Sequence, residues 1–387
     1  MITWVNFLHL HQPPLQAPEI LKKVSEESYK EIISIFNKFP EVKMTLNISG
    51  SLLELFQKNN QTEIIKAFKE LVSSGRIEIT SSAIYHPILP LISESEVLNQ
   101  IRLNREKLEE VFGATHHPKG FFLPEMAYSQ EVAKLVESAG FSWLILDEIH
   151  YPLGKPNSSS SYRIKGTGLK VVFRNRIFSK SFPPESIIKN FNELENQILI
   201  TAHDGEMYGH WHKDDQGFTD KVFANPAIKT ITVSEYLESL TTKAEEIEPL
   251  RASWESDLSE IKRDLPYAIW QNPKNKIQKK LWDFENQAYS ILQENKEDPN
   301  WKWAKKHYDR GISSCAWWWA SGRKLDAFSP IAWNPTEIEK GALEILRSVR
   351  SLDKLDLKTH LKLEKKFADL RKIIWLQHWQ QKHKKKD

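Results

Sequence analysis

Apolar stretches of strand length, each ending in polar residues and each followed by a segment of helical period, recur through residues 1–245 and restrict the fold more than any other feature. Thr3 to His11 reads as a strand with Val5, Phe7, His9 and His11 on one face, stopped by Pro13-Pro14. A helical segment from Glu19 to Phe39 follows, with Val24, Ile32, Ile35 and Phe39 on its buried side. Met44 to Ile48 and Ile77 to Ile84 are the next strands, the second running into Tyr85-His86-Pro87. Ser93 and Glu96 have capping-box spacing at the head of a helix that leads to Gly113. Gly120-Phe-Phe-Leu-Pro-Glu125 is then an apolar run ending in a carboxylate, with a helix from Ser129 to Gly140 behind it. Ser142 to Asp147, Leu169 to Arg174, Ile198 to Glu206 and Thr230 to Val233 continue the strands, after which helical period takes over. This alternation predicts an α/β chain: a parallel β/α barrel, closed or incomplete, over residues 1–245 and a helical domain over 246–387.

Composition removes several classes of function. Lys and Arg total 54 against 51 for Asp and Glu, and no basic segment is interleaved with aromatics, so nucleic acid is not an expected partner. The lone cysteine, Cys315, excludes an internal disulfide and a cysteine-based zinc site. The amino terminus has no basic region followed by an apolar stretch, and no apolar run reaches membrane-spanning length, so a cytoplasmic protein without a membrane partner is expected. Trp317, Trp318 and Trp319 are consecutive, and a helix or strand buries only some of three neighbours.

The polar strand ends converge on one rim, where three chemistries compete. Glu125 at the end of a buried strand is either a charge at a helix N-terminus or a catalytic carboxylate. Asp204 and Glu206 share a strand phase, so they point to one side if the extended conformation lasts that far. Two acids on different strands of one rim are what glycosidic bond cleavage requires, one ionised and one protonated. A second reading starts from His9 and His11, which at this spacing can ligate one metal ion, with His86, His203 and Asp204 as further ligands of a metal-dependent amidohydrolase- or deacetylase-like enzyme. In a third, the tryptophans form a sugar-binding platform without catalysis, since aromatic faces stack on pyranose rings. Trp4 and Trp143, within strands, read as core.

Five segments together resemble glycoside hydrolase family 57: His9-Leu-His11-Gln12-Pro13, Gly75-Arg-Ile-Glu78-Ile-Thr80, Phe122-Leu-Pro-Glu125, Asp204-Gly-Glu206-Met-Tyr-Gly209-His210-Trp211, and Cys315-Ala-Trp317-Trp318-Trp319. They occur in the family's order. The resemblance implies an incomplete (β/α)7 barrel followed by a helical region, and a retaining hydrolase or glucanotransferase acting on α-glucans with neither metal nor cofactor. It implies Glu125 as nucleophile and Asp204 as general acid/base. His9, His11, Gln12, Glu78, His86, Glu206, His210, Trp211, Trp317, Trp318 and Trp319 would then lie in or beside the sugar subsites. One departure stands out: many members carry tryptophan shortly before the nucleophile, where this chain has Phe121-Phe122.

Overall fold

Ile2–Leu10 (β1) carries apolar side chains on both faces, and every residue of it but Thr3 is buried, the signature of a central strand covered on both sides. Ile2 and Trp4 join an outer cluster with Leu199 and Val222, and Leu8 and Leu10 join another with Ile32, Met44 and Leu46. Val5 and Phe7 join the cluster that holds Phe122, Ile200 and Ala202. The computed structural model describes residues 1–114, 117–322 and 332–384.

In chain order the remaining strands are Met44–Ile48 (β2), Ile77–Thr80 (β3), Gly120–Phe121 (β4), Trp143–Asp147 (β5), Tyr162–Ile164 (β6), Lys170–Arg174 (β7), Ile198–Asp204 (β8), Ile228–Ile231 (β9) and Glu245–Ile247 (β10). Parallel pairing orders them β3-β2-β1-β8 in one sheet and β7-β5-β4 in another. The sheets meet where Ser81, just past β3, bridges Phe121 of β4. They meet again where Asn175 N, just past β7, donates to Ile200 O of β8 at 2.7 Å. Strands β1 to β5, β7 and β8 thus make a ring of parallel strands, an incomplete (β/α)7 barrel whose two joins are thinly paired.

Three strands lie outside the ring. Because β8 covers Thr3 to His9 along one edge of β1, β2 at Phe7–Leu10 and β9 at Ile2–Val5 share the other edge. The segment expected as a last barrel strand is therefore tucked below β2. β6 pairs antiparallel with β7, and β10 parallel with β6. Each has three residues, too few to show a period of two in the sequence.

The helix expected from Glu19 to Phe39 runs from Pro18 to Lys38 but is not α-helical throughout. Pro18–Val24 and Lys30–Lys38 are α-helical, and Ser25–Tyr29 between them makes i to i+5 hydrogen bonds. The extra residue in that turn swings Ser28 and Tyr29 onto the barrel. Ser93 and Ser129 cap their helices as the sequence suggests, each accepting from the backbone N–H three residues on.

Two compact units result. The first contains residues 1–12, 16–84 and 89–261, so it runs past the boundary expected at residue 245. The extension is held by Tyr128 N donating to Ala252 O at 2.9 Å and Trp254 N donating to Glu125 O at 3.0 Å. The second contains residues 13–15, 85–88 and 262–387. Its helices Lys276–Glu294, Trp301–Gly311 and Pro335–Arg350 bury Leu281, Ala288, Tyr308, Ile338 and Ile345. Among the described residues no helix is long and apolar enough to cross a membrane.

Candidate active site

Strand register sets one layer of side chains at the carboxyl end of the ring. His9 pairs in register with Asn47 on one side and Asp204 on the other, and Asn47 with Thr80. His9 Nδ1 donates to Asn47 Oδ1 at 2.9 Å, and burial pushes the imidazole down to about 4. His11 lies just past β1, 5.7 Å from His9 ring to ring and nearly parallel to it, as the shared phase predicts. Its Nδ1 is 3.0 Å from Ser49 Oγ, and burial followed by the neighbouring His9 holds it well below the usual histidine range. Both rings are neutral at pH 7, fit for hydrogen bonding rather than for ion pairing.

Glu125 is reached through a sharp turn rather than a strand end. Glu125 and Met126 both have left-handed backbones, φ 59° and 49°, a conformation that non-glycine residues keep only where their surroundings fix it. The surroundings here are Trp254 and His150. Trp254 Nε1 donates to Glu125 Oε2 at 2.7 Å. His150 Nε2 is 2.9 Å from Met126 O and 3.1 Å from Ala252 O. Burial, then the neighbouring Glu255 carboxylate, push Glu125 up to about 8, while the Trp254 N–H pulls it back in part.

Asp204 ends β8 and is part-exposed. Burial raises it well above the usual carboxylate range, with Glu206, Glu125 and Glu255 adding to the rise and Arg174 opposing it. The sequence predicts this direction from Glu125 and Glu206. It does not predict the parallel rise at Glu125, for desolvation acts on both acids.

Glu206 does not continue the strand. Gly205–Met207 is a single 3₁₀ turn, and it directs the carboxylate away from the extended phase shared with Asp204. Glu206 Oε1 accepts from Tyr29 Oη at 2.6 Å and from Gln12 Nε2 at 2.9 Å, and the residue is 2% exposed. Burial pushes it up to about 7 against those hydrogen bonds. Gln12 is itself fixed, since Gln16 Nε2 donates to its Oε1 at 2.8 Å. Glu206, Gln12 and Tyr29 thus form one buried hydrogen-bonded set.

The loop after β8 presents the next two expected residues. His210 Nδ1 is 2.6 Å from Glu27 Oε2, and Trp211 N donates to Glu206 O at 2.8 Å, leaving the Trp211 ring 45% exposed. Gly209 makes the loop possible. Its φ is +88°, and a Cβ there would stand 2.0 Å from Glu27 O.

Glu78 is placed one layer lower, in register with Thr45 and Phe7. Its carboxylate accepts from Thr45 Oγ1 at 2.9 Å, from Ser234 N at 3.1 Å and from Ser234 Oγ, so it ties β3 to the start of the helix Val233–Ser239. Glu78 shares its strand face with Thr80, and the register of β3 is what sets it a layer below the rim, which Thr80 reaches instead. Four other expected residues belong to the second unit. His86 Nδ1 is 3.0 Å from Ser314 Oγ there. Trp317 is buried against Trp282 with ring centroids 4.4 Å apart, while Trp318 and Trp319 on the same short helix are part-exposed. His203, a further ligand in the metal reading, alternates with Asp204 along β8 and stacks on Tyr208. Among the described residues no three His, Cys, Asp or Glu side chains come together as a metal-ligand set.

A buried ionic network escapes the sequence reading. Asp147 at the end of β5 receives Arg174 Nε at 2.7 Å and Arg176 Nη1 at 2.8 Å. Burial disfavours its charge, but the two guanidinium groups together with the Ile149 N–H and His150 outweigh that and hold it below the usual carboxylate range. Arg174 also donates to Ala202 O at 2.5 Å, lacing β7 to β8, and lies 4.9 Å over the Trp254 ring. Asp147 and Arg174 were visible as charged strand ends. Trp254 and Glu255 were not, for they follow the last barrel strand in a stretch with no periodicity.

A parallel barrel with acids grouped at the carboxyl end of its strands is the architecture of enzymes that work through side chains from several strands. Comparison with known proteins makes the class specific. The chain belongs to glycosyl hydrolase family 57, whose profile matches residues 7–251. It is 26% identical over 263 residues to an alpha-amylase of Pyrococcus abyssi, a match covering 62% of this chain and 40% of that protein. It is similar in structure to a 4-alpha-glucanotransferase of Thermococcus litoralis, with TM-score 0.72, 20% identity, and coverage of 91% of this chain and 60% of the other. A branching enzyme of this family from Pyrococcus horikoshii superposes with TM-score 0.68 and 16% identity, over 95% of this chain and 94% of the other. The match therefore spans two fifths of the length of that alpha-amylase, which is 40% covered.

Proposed function

We propose that the chain is a retaining glycoside hydrolase or transglycosylase acting on α-glucans, with Glu125 as nucleophile and Asp204 as general acid/base. The observation that carries this reading is the electrostatic pairing of two carboxyls at one rim, Asp204 at the end of β8 and Glu125 on the turn past β4, in which the charge of Glu125 helps to keep Asp204 protonated. Ionised Glu125 attacks the anomeric carbon as Asp204 gives its proton to the leaving oxygen. The C–O bond breaks, and a glycosyl ester to Glu125 forms. Asp204, now a carboxylate, takes a proton from the incoming water or sugar hydroxyl, and the ester is cleaved.

Neutral His9 and His11 support the reading as hydrogen-bonding groups beside the acids, and Trp211 supplies an exposed aromatic face of the kind that packs on a pyranose. The names of the similar proteins, alpha-amylase and 4-alpha-glucanotransferase, favour an α-1,4-glucan substrate. Incubation with a graded series of maltooligosaccharides tests the proposal. Products only shorter than the substrate indicate water as acceptor, and products both shorter and longer indicate a sugar. Substrate left intact after days with folded protein would overturn it.

A further inference from the structure

Trp254 does more than fill space beside Glu125. Its backbone N–H holds the Glu125 carbonyl at 3.0 Å and its indole N–H holds the carboxylate at 2.7 Å, so one residue fixes both ends of the left-handed Glu125. The final carboxylate torsion has a broad, shallow preference of its own, and a directional donor is what gives it one orientation. The indole is clamped in turn. Arg174 lies 4.9 Å over one part of it, Phe122 packs at 5.8 Å, and the edge of His9 meets it at 6.1 Å. Arg174 cannot follow the ring if it moves, because its other donors are bound to Asp147 and Ala202 O.

We infer that Trp254 is a positioning residue for the nucleophile, holding the Glu125 carboxylate in the orientation for attack, and that Arg174 locks Trp254 in place from the β7–β8 join. The inference rests on the nucleophile's role proposed above. Phe122 belongs to the same clamp, since where the family more often has tryptophan this chain packs a fully buried phenylalanine between His9, 4.5 Å away, and Trp254.

Of the charged and titratable groups near Glu125, the Glu255 carboxylate disfavours its ionisation, Asp204 is itself raised by the charge of Glu125, and Arg174 lies behind the indole. Removing the indole donor deprives the ionised form of a hydrogen bond, so the acidic limb of the rate profile must move to higher pH. Trp254→Phe is therefore expected to lower kcat about 100-fold with KM changed by less than about threefold, the scale on which a misaligned reacting group is felt. Replacing Trp254 with benzothienylalanine, which keeps the shape and removes only the N–H, should give the same shift and covers the case in which Trp254→Phe does not fold. Unchanged kcat in the N–H-deleted protein would overturn the inference, and so would a lower kcat with the acidic limb unmoved. Glu125→Ala separates the two layers. If it is inactive and rescued by azide while the Trp254 variants are fully active, the role of Trp254 falls alone. If it is active, the nucleophile's role falls, and that of Trp254 with it.

Discussion

At the scale of residues, the site is a set of acids whose burial and proximity work against their ionisation. In the proposed mechanism the pair formed by Glu125 and Asp204 works with one proton between them, on Asp204, and such coupled groups release their protons in two macroscopic steps. Activity should rise as the first proton leaves and fall as the second does. Because burial and Glu255 push Glu125 up to about 8, the acidic limb of kcat/KM is expected well above the ordinary carboxylate range of about 4. Glu255→Gln removes a negative neighbour from both acids, so both limbs should shift to lower pH in a rate profile, with Glu255 itself outside the bond-making steps. Glu125→Gln and Asp204→Asn should each reduce turnover by at least about a thousandfold while leaving circular dichroism unchanged. The sequence exposed these two acids because each ends an apolar run. It could not expose Trp254, whose role depends on a chain crossing 129 residues away in sequence.

At the scale of elements, small departures from regularity aim the side chains. The turn at Ser25–Tyr29 brings Tyr29 Oη to Glu206 and Ser28 Oγ to Gly205 O at 2.9 Å, and Gly209 lets the following loop pass under Glu27. Gly209→Ala meets both a left-handed φ and the Glu27 carbonyl, so it should cost about 1–3 kcal/mol of stability in denaturant titrations. It should also raise KM for maltooligosaccharides through displacement of His210 and Trp211. Periodicity revealed the ring strands with long apolar runs, such as β1, β5 and β8, together with the caps at Ser93 and Ser129. It could not reveal the π turn, which keeps helical spacing on either side, nor the turn at Gly205–Met207 that redirects Glu206. Glu78 shows the same limit: its motif is legible, but only strand register says that it lies a layer below His9 and Asp204.

At the scale of the whole molecule, keeping raised acids at one rim opposes folding. A carboxyl whose folded-state value is about 8, against about 4.3 when unfolded, adds stability below the lower value and loses it as pH rises through the higher one. Glu125→Gln mimics the protonated form at every pH. It should melt at a higher temperature than the wild type at pH 9, with the difference shrinking towards pH 4, in scanning calorimetry. The alternation of strand and helix made the barrel legible, whereas the extension of the first unit to Ile261 rests on contacts that leave no pattern in the sequence. Covalent glycosylation of Glu125 during turnover is the step on which the proposed mechanism depends. Its most direct test is mass spectrometry of a digest after reaction with 5-fluoro-α-glucosyl fluoride, which slows release of the glycosyl-enzyme. One fluoroglucosyl group is expected on the peptide containing Glu125; a label on another carboxylate, with Glu125 unmodified as the enzyme is inactivated, would refute Glu125 as the nucleophile.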